Sequence, residues 1–118
     1  MSNQPRRILI VDDDQDVLIA LEHALEDEGY RTATAWSAEE ALALSETSQF
    51  DLLLVDEHLA DPDVDAFFLE LQRKQPHAFR FLMRTRKDGS RTTSSTDTTV
   101  CKWEHAEMKA AIRICLAV

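Results

Sequence analysis

Glycine, proline and cysteine are all scarce in this 118-residue chain, at two, three and two residues. With only Gly29 and Gly89, the chain has no glycine-rich phosphate loop of the P-loop or dinucleotide type. Cys101 and Cys115 stand far from CxxC spacing, which excludes a zinc knuckle and a disulfide framework. No apolar run approaches the roughly 20 residues that a membrane span needs. The opening MSNQPRR leads into no signal-type apolar stretch, because Asp12 interrupts it, so a cytoplasmic setting is expected. Positive charge is short as well. Thirteen Lys+Arg against 22 Asp+Glu leave a net charge of −9. An acidic chain repels phosphate backbones and anionic lipid, so no nucleic acid and no membrane partner is expected for this chain alone.

What is present is ordinary for a folded domain. Hydrophobic residues make up 44% and charged residues 30%, and the length suits one domain spanning 1–118. Arg7–Val11 (RILIV) is a short β-branched apolar run between charges, which predicts a buried strand. Asp16–Glu28 places Val17, Leu18, Leu21 and Leu25 at helical spacing, with Gly29 as its stop. Arg31–Trp36 predicts a weaker strand. Ser37 and Glu40 form an SxxE capping box for a small-residue helix reaching about Thr47. Phe50–Val55 predicts a second strong strand. The aspartate-rich loop Asp61–Asp65 follows, and then a helix carrying Phe67, Phe68 and Leu71, ended near Pro76. Phe79–Thr85 predicts a fourth strand and Val100–Trp103 a short fifth. Between them Arg86–Thr99 has no large apolar residue and reads as loop. Glu104–Ala117 predicts a last helix with Met108, Ile112, Cys115 and Leu116 inward. Such alternation implies an α/β fold, a five-stranded parallel sheet with helices on both faces, and a site at the carboxyl ends of its strands.

Those ends carry the chemistry. The first strand runs into Asp12, Asp13 and Asp14, and the third into Asp56 and Glu57. Neighbouring parallel strands bring these carboxylates together, and like charges at close range need a counter-charge. A hard divalent cation answers that need, and Mg2+, which takes one or two carboxylates and keeps its waters, fits best. Thr85 ends the fourth strand with a hydroxyl, and Lys102 ends the fifth with an ammonium. Carboxylates, hydroxyl and lysine at one sheet edge suit phosphoryl transfer to a carboxylate.

In ILIVDDD, DLLLVDEHL, FLMRT and VCKWEHAEMKAAI the chain resembles the receiver domain of response regulators, the CheY-like family of two-component signalling. The resemblance covers Arg6 to Ala117, the expected 6–117 core. It implies a doubly wound, flavodoxin-like sheet. It implies that Asp56 accepts a phosphoryl group from a sensor histidine kinase or phosphotransfer protein. Asp12, Asp13, Asp56 and the backbone carbonyl of His58 would hold Mg2+, Thr85 would contact the phosphoryl group, and Lys102 would pair with its oxygens. No turnover beyond self-phosphorylation and autodephosphorylation is implied, so the chain is not expected to be an enzyme. Cognate kinase, output partner or effector domain, and oligomeric state stay open. A stand-alone regulator and the N-terminal domain of a longer chain read alike.

The chain departs from the family at several points. Trp103 replaces the proline after the lysine, which makes a trans peptide the expectation there. Thr99 replaces the aromatic switch residue, Arg86 a small residue, and Ala60 a proline. Val64 or Ala66 stands for a glycine. The helix between the fourth and fifth strands is expected to be short, irregular or disordered. These departures motivate a second reading, a pseudo-receiver that binds partners without phosphorylation. A remote third is a haloacid-dehalogenase-type phosphatase using Asp12 in Asp12-x-Asp14.

Other features have plain explanations. Asp61, Asp63 and Asp65 lack the glycine and glutamate of a calcium loop and read as a solvated turn and helix start. His23, His77 and His105 are expected at the surface, and Cys101 and Cys115 as packed thiols. Trp36 and Trp103 are expected to cover core edges. Arg84, Arg86, Lys87 and Arg91 are expected to form a solvated basic loop.

Overall fold

The computed structural model describes residues 4–59, 64–84 and 98–116. Its elements alternate in chain order: β1 (Arg7–Val11), α1 (Gln15–Asp27), β2 (Arg31–Ala35), α2 (Ala38–Thr47), β3 (Leu52–Asp56), α3 (Val64–Lys74), β4 (Phe79–Arg84), β5 (Thr98–Cys101) and α4 (His105–Leu116). All four strand pairings are parallel, in the order β2-β1-β3-β4-β5. This is the expected doubly wound, flavodoxin-like architecture. The order reverses between β1 and β3, which is where such sheets place their sites.

Alternation along the strands divides the core in two. Ile8, Ile10, Leu52, Leu54, Phe81 and Met83 face α1 and α4, against Leu21, Leu25, Met108 and Ile112. Leu9, Val11, Leu53, Val55 and Leu82 face α2 and α3, against Ala41, Phe67, Phe68 and Leu71. Central strands buried on both faces need unbroken apolar runs, and RILIV and LLLV supply them.

The helix ends follow their local chemistry. Asp14 caps α1 by accepting the Asp16 N–H at 2.9 Å. Gly29 ends it at φ +95°, with Gly29 N–H donating to the Glu26 carbonyl and Tyr30 N–H to that of Leu25, a Schellman pair. Ser37 caps α2 by accepting from Glu40 N–H at 3.1 Å. The return bond differs from the expected box: Glu40 Oε1 accepts from Trp36 N–H, one residue before the cap, at 2.9 Å.

Several boundaries differ from expectation. β5 begins at Thr98, where two threonines that read as loop pair with Phe81 and Leu82. An edge strand tolerates polar β-branched residues, so the lack of large apolar side chains misleads there. Val64 and Asp65 belong to α3 rather than to the preceding loop. Trp36 and Trp103 are at least half exposed, so both tryptophans leave much of their rings in solvent. Cys115 is half-buried against the α4 core and Cys101 is also half-buried. His105 is half-buried rather than superficial. No peptide is cis among the described residues. Of the segment Arg86–Thr99 expected to be short, irregular or disordered between β4 and β5, residues 86–97 lie outside the described residues, as do Asp61 and Asp63.

Gln75, just past α3, ties three elements together from a fully buried position. Its Oε1 accepts the Phe50 N–H at 2.9 Å, and its Nε2 donates to the Ser45 and Ser48 carbonyls at 3.0 and 2.8 Å. Gln75→Leu keeps the volume but strands a buried N–H and two carbonyls. It is expected to lower stability by about 2 kcal/mol, read as a lower urea midpoint with an unchanged slope.

A second tie joins α4 to the end of α1. Arg113 Nη2 bonds Glu28 Oε1 at 2.8 Å, and Lys109 Nζ lies 3.8 Å from Glu28 Oε2. The Arg113 hydrogen bond holds the Glu28 carboxyl below its ordinary value of 4.5. A depressed carboxyl stabilises the fold above the unfolded value and loses that contribution as pH falls through the folded one. The Tm gap between wild type and Glu28→Gln is therefore expected to be constant above pH 4.5 and to close below it.

Candidate phosphoryl and metal site

β1 and β3 pair side by side, with Val11 opposite Val55, so Asp12 and Asp56 leave the sheet as neighbours. Asp12 is fully buried and Asp56 is 3% exposed. Asp12 is held on three sides. Its N–H donates to the Ala35 carbonyl at 3.1 Å, its Oδ1 accepts the Asp14 N–H at 2.9 Å, and its Oδ2 accepts from Lys102 Nζ at 2.7 Å. Asp56 Oδ1 accepts the His58 N–H at 3.1 Å and lies 3.2 Å from the same ammonium. One buried lysine thus bridges two buried carboxylates. Asp13 stands exposed beside them, and oxygens of Asp12, Asp13 and Asp56 lie within 4.8 Å of one another.

The topology explains how Lys102 arrives there from the far side of the sheet. It lies in the turn after β5, and its N–H donates to the Arg84 carbonyl of β4 at 2.7 Å, continuing the parallel ladder by one residue. From that anchor its side chain crosses toward the end of β3 and is buried at 6% exposure.

Two carboxylates and one cation leave the buried cluster at −1. Burial pushes the Asp12 carboxyl above its ordinary value of 3.8, with the Asp56 charge adding to the rise, against the opposing hydrogen bonds from Lys102 and Asp14. For Lys102, burial acts downward, but the Asp12 hydrogen bond and the Asp56 and Asp12 charges outweigh it, so its ammonium is held above its ordinary value and stays charged.

The six residues expected at the site divide as follows. Asp12, Asp13, Asp56 and Lys102 come together. His58 follows with an exposed ring and its N–H on Asp56. Thr85 lies outside the described residues. Sequence reasoning missed one feature. Arg84, expected in a solvated basic loop, has only 16% of its side chain exposed, and its Nε sits 3.8 Å from Glu57 Oε2. Each residue is one step beyond the Asp56–Met83 register pair, so the pairing was legible only once β3 and β4 were known to be adjacent. Arg86, Lys87 and Arg91 lie outside the described residues.

The family profile that matches residues 8–98 is that of the response regulator receiver domain. The chain belongs to the response regulator receiver family. Among curated relatives, it is 39% identical over 84 residues to the alkaline phosphatase synthesis transcriptional regulatory protein PhoP of Bacillus subtilis, which covers 70% of this chain and 34% of PhoP. The chain spans about a third or less of the first curated relatives it matches, 34% of PhoP and 17% of the Escherichia coli transcriptional regulatory protein GlrR. Among solved structures, a CheY-like receiver domain protein from Methanospirillum hungatei superposes with a TM-score of 0.79 at 26% identity, covering 93% of this chain and 92% of that one. The response regulator TrrA of Thermotoga maritima, solved in complex with Mg(2+)-BeF, gives a TM-score of 0.80 at 26% identity, covering 94% and 99%. Receiver domains are signalling modules rather than enzymes in the usual sense, and the acidic cluster of this receiver occupies the carboxyl ends of β1 and β3.

Proposed function

We propose that this receiver domain takes a phosphoryl group onto Asp56 from a phosphohistidine on a sensor histidine kinase or phosphotransfer protein. The observation that carries this reading is the Lys102 ammonium lodged between Asp12 and Asp56, with the Asp13 carboxylate at the open side. His58 N–H and Lys102 both engage Asp56 Oδ1, which leaves Oδ2 as the attacking oxygen. Oδ2 forms the new bond to phosphorus, the P–N bond to the donor imidazole breaks, and that imidazole leaves with the electron pair. Lys102 then pairs with the transferred oxygens. Thr85 is assigned a hydroxyl contact to the same oxygens.

The donor set fits Mg2+. Three carboxylates offer hard oxygens within 4.8 Å of one another, one of them exposed, in a cluster that keeps net negative charge despite Lys102. Asp12, Asp13, Asp56 and the His58 carbonyl would hold the ion. When bound, it supplies positive charge against the phosphoryl oxygens. The Mg(2+)-BeF complex of TrrA supports this choice of ion.

The chain acts as a switch module in the cytoplasm, with no turnover of its own beyond autodephosphorylation. Its output runs through a partner or an attached effector domain. The longer relatives, named as transcriptional regulators, support the latter, with nucleic-acid contact left to the effector. We assign residues 1–118 to one receiver domain with its core at 6–117.

Incubation with Mg2+ and acetyl phosphate, followed by intact-mass spectrometry, tests the reading. One phosphoryl adduct is expected on wild type and none on Asp56→Asn. Absence of the adduct on wild type, with a histidine kinase donor failing as well, would leave a binding-only pseudo-receiver.

A further inference from the structure

We propose that Arg84 is a positioning residue of the phosphoryl site: paired with Glu57 on one side, it fixes where Lys102 stands against Asp56. The assignment rests on the reading of Asp56 as phosphoacceptor. Arg84 is the last residue of β4, and Glu57 is the first after β3. Their side chains are 16% and 5% exposed, and Arg84 Nε lies 3.8 Å from Glu57 Oε2. Leu53, Val55 and Leu82 face α2 and α3, and alternation along β3 and β4 carries Glu57 and Arg84 to the same side of the sheet. Asp56 takes the opposite side, so the pair acts on the reaction through its neighbours.

Those neighbours are the site. Glu57 directly follows Asp56, and its N–H donates to the Met83 carbonyl at 3.1 Å, which extends the β3–β4 ladder past the phosphoacceptor. The Arg84 carbonyl accepts the Lys102 N–H at 2.7 Å, which extends the β4–β5 ladder in the same way. Arg84 therefore joins the strand that ends in Asp56 to the strand that leads to Lys102. β5 is an outer strand, bonded only to β4. From that edge the Lys102 ammonium must reach inward to Asp56 and Asp12, at 3.2 and 2.7 Å. Any shift of the β4 end moves the ammonium against Asp56. Thr85, the hydroxyl assigned to the phosphoryl oxygens, is the next residue in the chain.

Stability alone does not call for charges here. Two apolar side chains of similar volume fill the place of a buried ion pair as well or better. Apolar contacts are non-directional, whereas opposite charges with shared hydrogen-bonding geometry define how two strand ends stand to each other. That definition matters beside a reacting atom, where a misplacement of about 1 Å costs on the order of a hundredfold in rate.

Phosphorylation by acetyl phosphate at saturating Mg2+, followed over time by intact-mass spectrometry, tests the assignment. The double variant Glu57→Met/Arg84→Met leaves the net charge unchanged and the space filled. It is expected to take up the phosphoryl group about tenfold more slowly than wild type, while its urea midpoint and its Mg2+ affinity stay near those of wild type. Glu57→Gln keeps the shape and removes a negative charge beside an anionic donor, which by charge alone speeds the reaction. It is expected instead to slow it at least about threefold. Either variant reacting at the wild-type rate or faster would overturn the assignment and leave Asp56 as acceptor. So would a double variant slowed only alongside a lowered midpoint, since the pair would then be structural. A wild type without an adduct would overturn the Asp56 reading, and this assignment with it. If the double variant fails to fold, Glu57→Gln decides alone.

Discussion

Lys102→Met is expected to lower stability by about 3 kcal/mol at neutral pH without divalent cations. The lysine bonds Asp12 at 2.7 Å and lies 3.2 Å from Asp56, and all three side chains are nearly or fully buried. Methionine fills the same space but leaves two buried carboxylates facing each other. One of them responds by taking up a proton, and Asp12, already raised by burial, is the better placed. The pH dependence follows. A carboxyl raised in the folded state stabilises it fully below the ordinary value of 3.8 and loses that contribution as pH rises through the folded value. The deficit of the variant should therefore be smallest in acid and largest at neutral pH. Urea unfolding at both ends of that range measures it. Mg2+ should restore part of the loss, since it replaces the missing counter-charge and binds only the folded chain.

Asp13→Asn is expected to weaken Mg2+ binding at least about tenfold while leaving stability near that of wild type. Asp13 is exposed, so its charge does little for the metal-free fold, yet it completes the oxygen cluster with Asp12 and Asp56. Removing one charge from that acidic cluster relieves repulsion as well. Calorimetric titration with the metal gives the affinity. Asp12 must be ionised to serve as a ligand, and its carboxyl is raised, so wild-type affinity should fall with acid from a pH above the ordinary aspartate value of 3.8. A wild-type affinity that held constant down to that pH would exclude Asp12 as a ligand.

Most of this arrangement was legible before the fold was known, for local reasons. RILIV and DLLLV announce strands because strands buried on both faces need continuous apolar runs, and the carboxylates directly after them can only sit at strand ends. Asp14, Gly29 and Ser37 mark helix termini through bonds to amides and carbonyls a few residues away. What stayed hidden depends on distant neighbours. Gln75 looks like any polar residue after a helix until β3 and α2 close around it. Arg84 looks solvated until Glu57 arrives on the adjacent strand. Thr98 and Thr99 read as loop because only pairing with β4 reveals them as an edge strand. Trp36 read as core cover because its size suggests burial, whereas its place just past an edge strand exposes it.

On the proposed function, Asp56 and not Asp12 receives the phosphoryl group, and it needs a metal to do so. The direct measurement is to treat the chain with acetyl phosphate, with Mg2+ or with EDTA, trap the acyl phosphate by borohydride reduction, and map the reduced aspartate by peptide mass spectrometry. Reduction at Asp56 alone, present with Mg2+ and absent with EDTA, is the predicted result. Reduction at Asp12, as a dehalogenase-type phosphatase would give, or labelling indifferent to the metal, would contradict it.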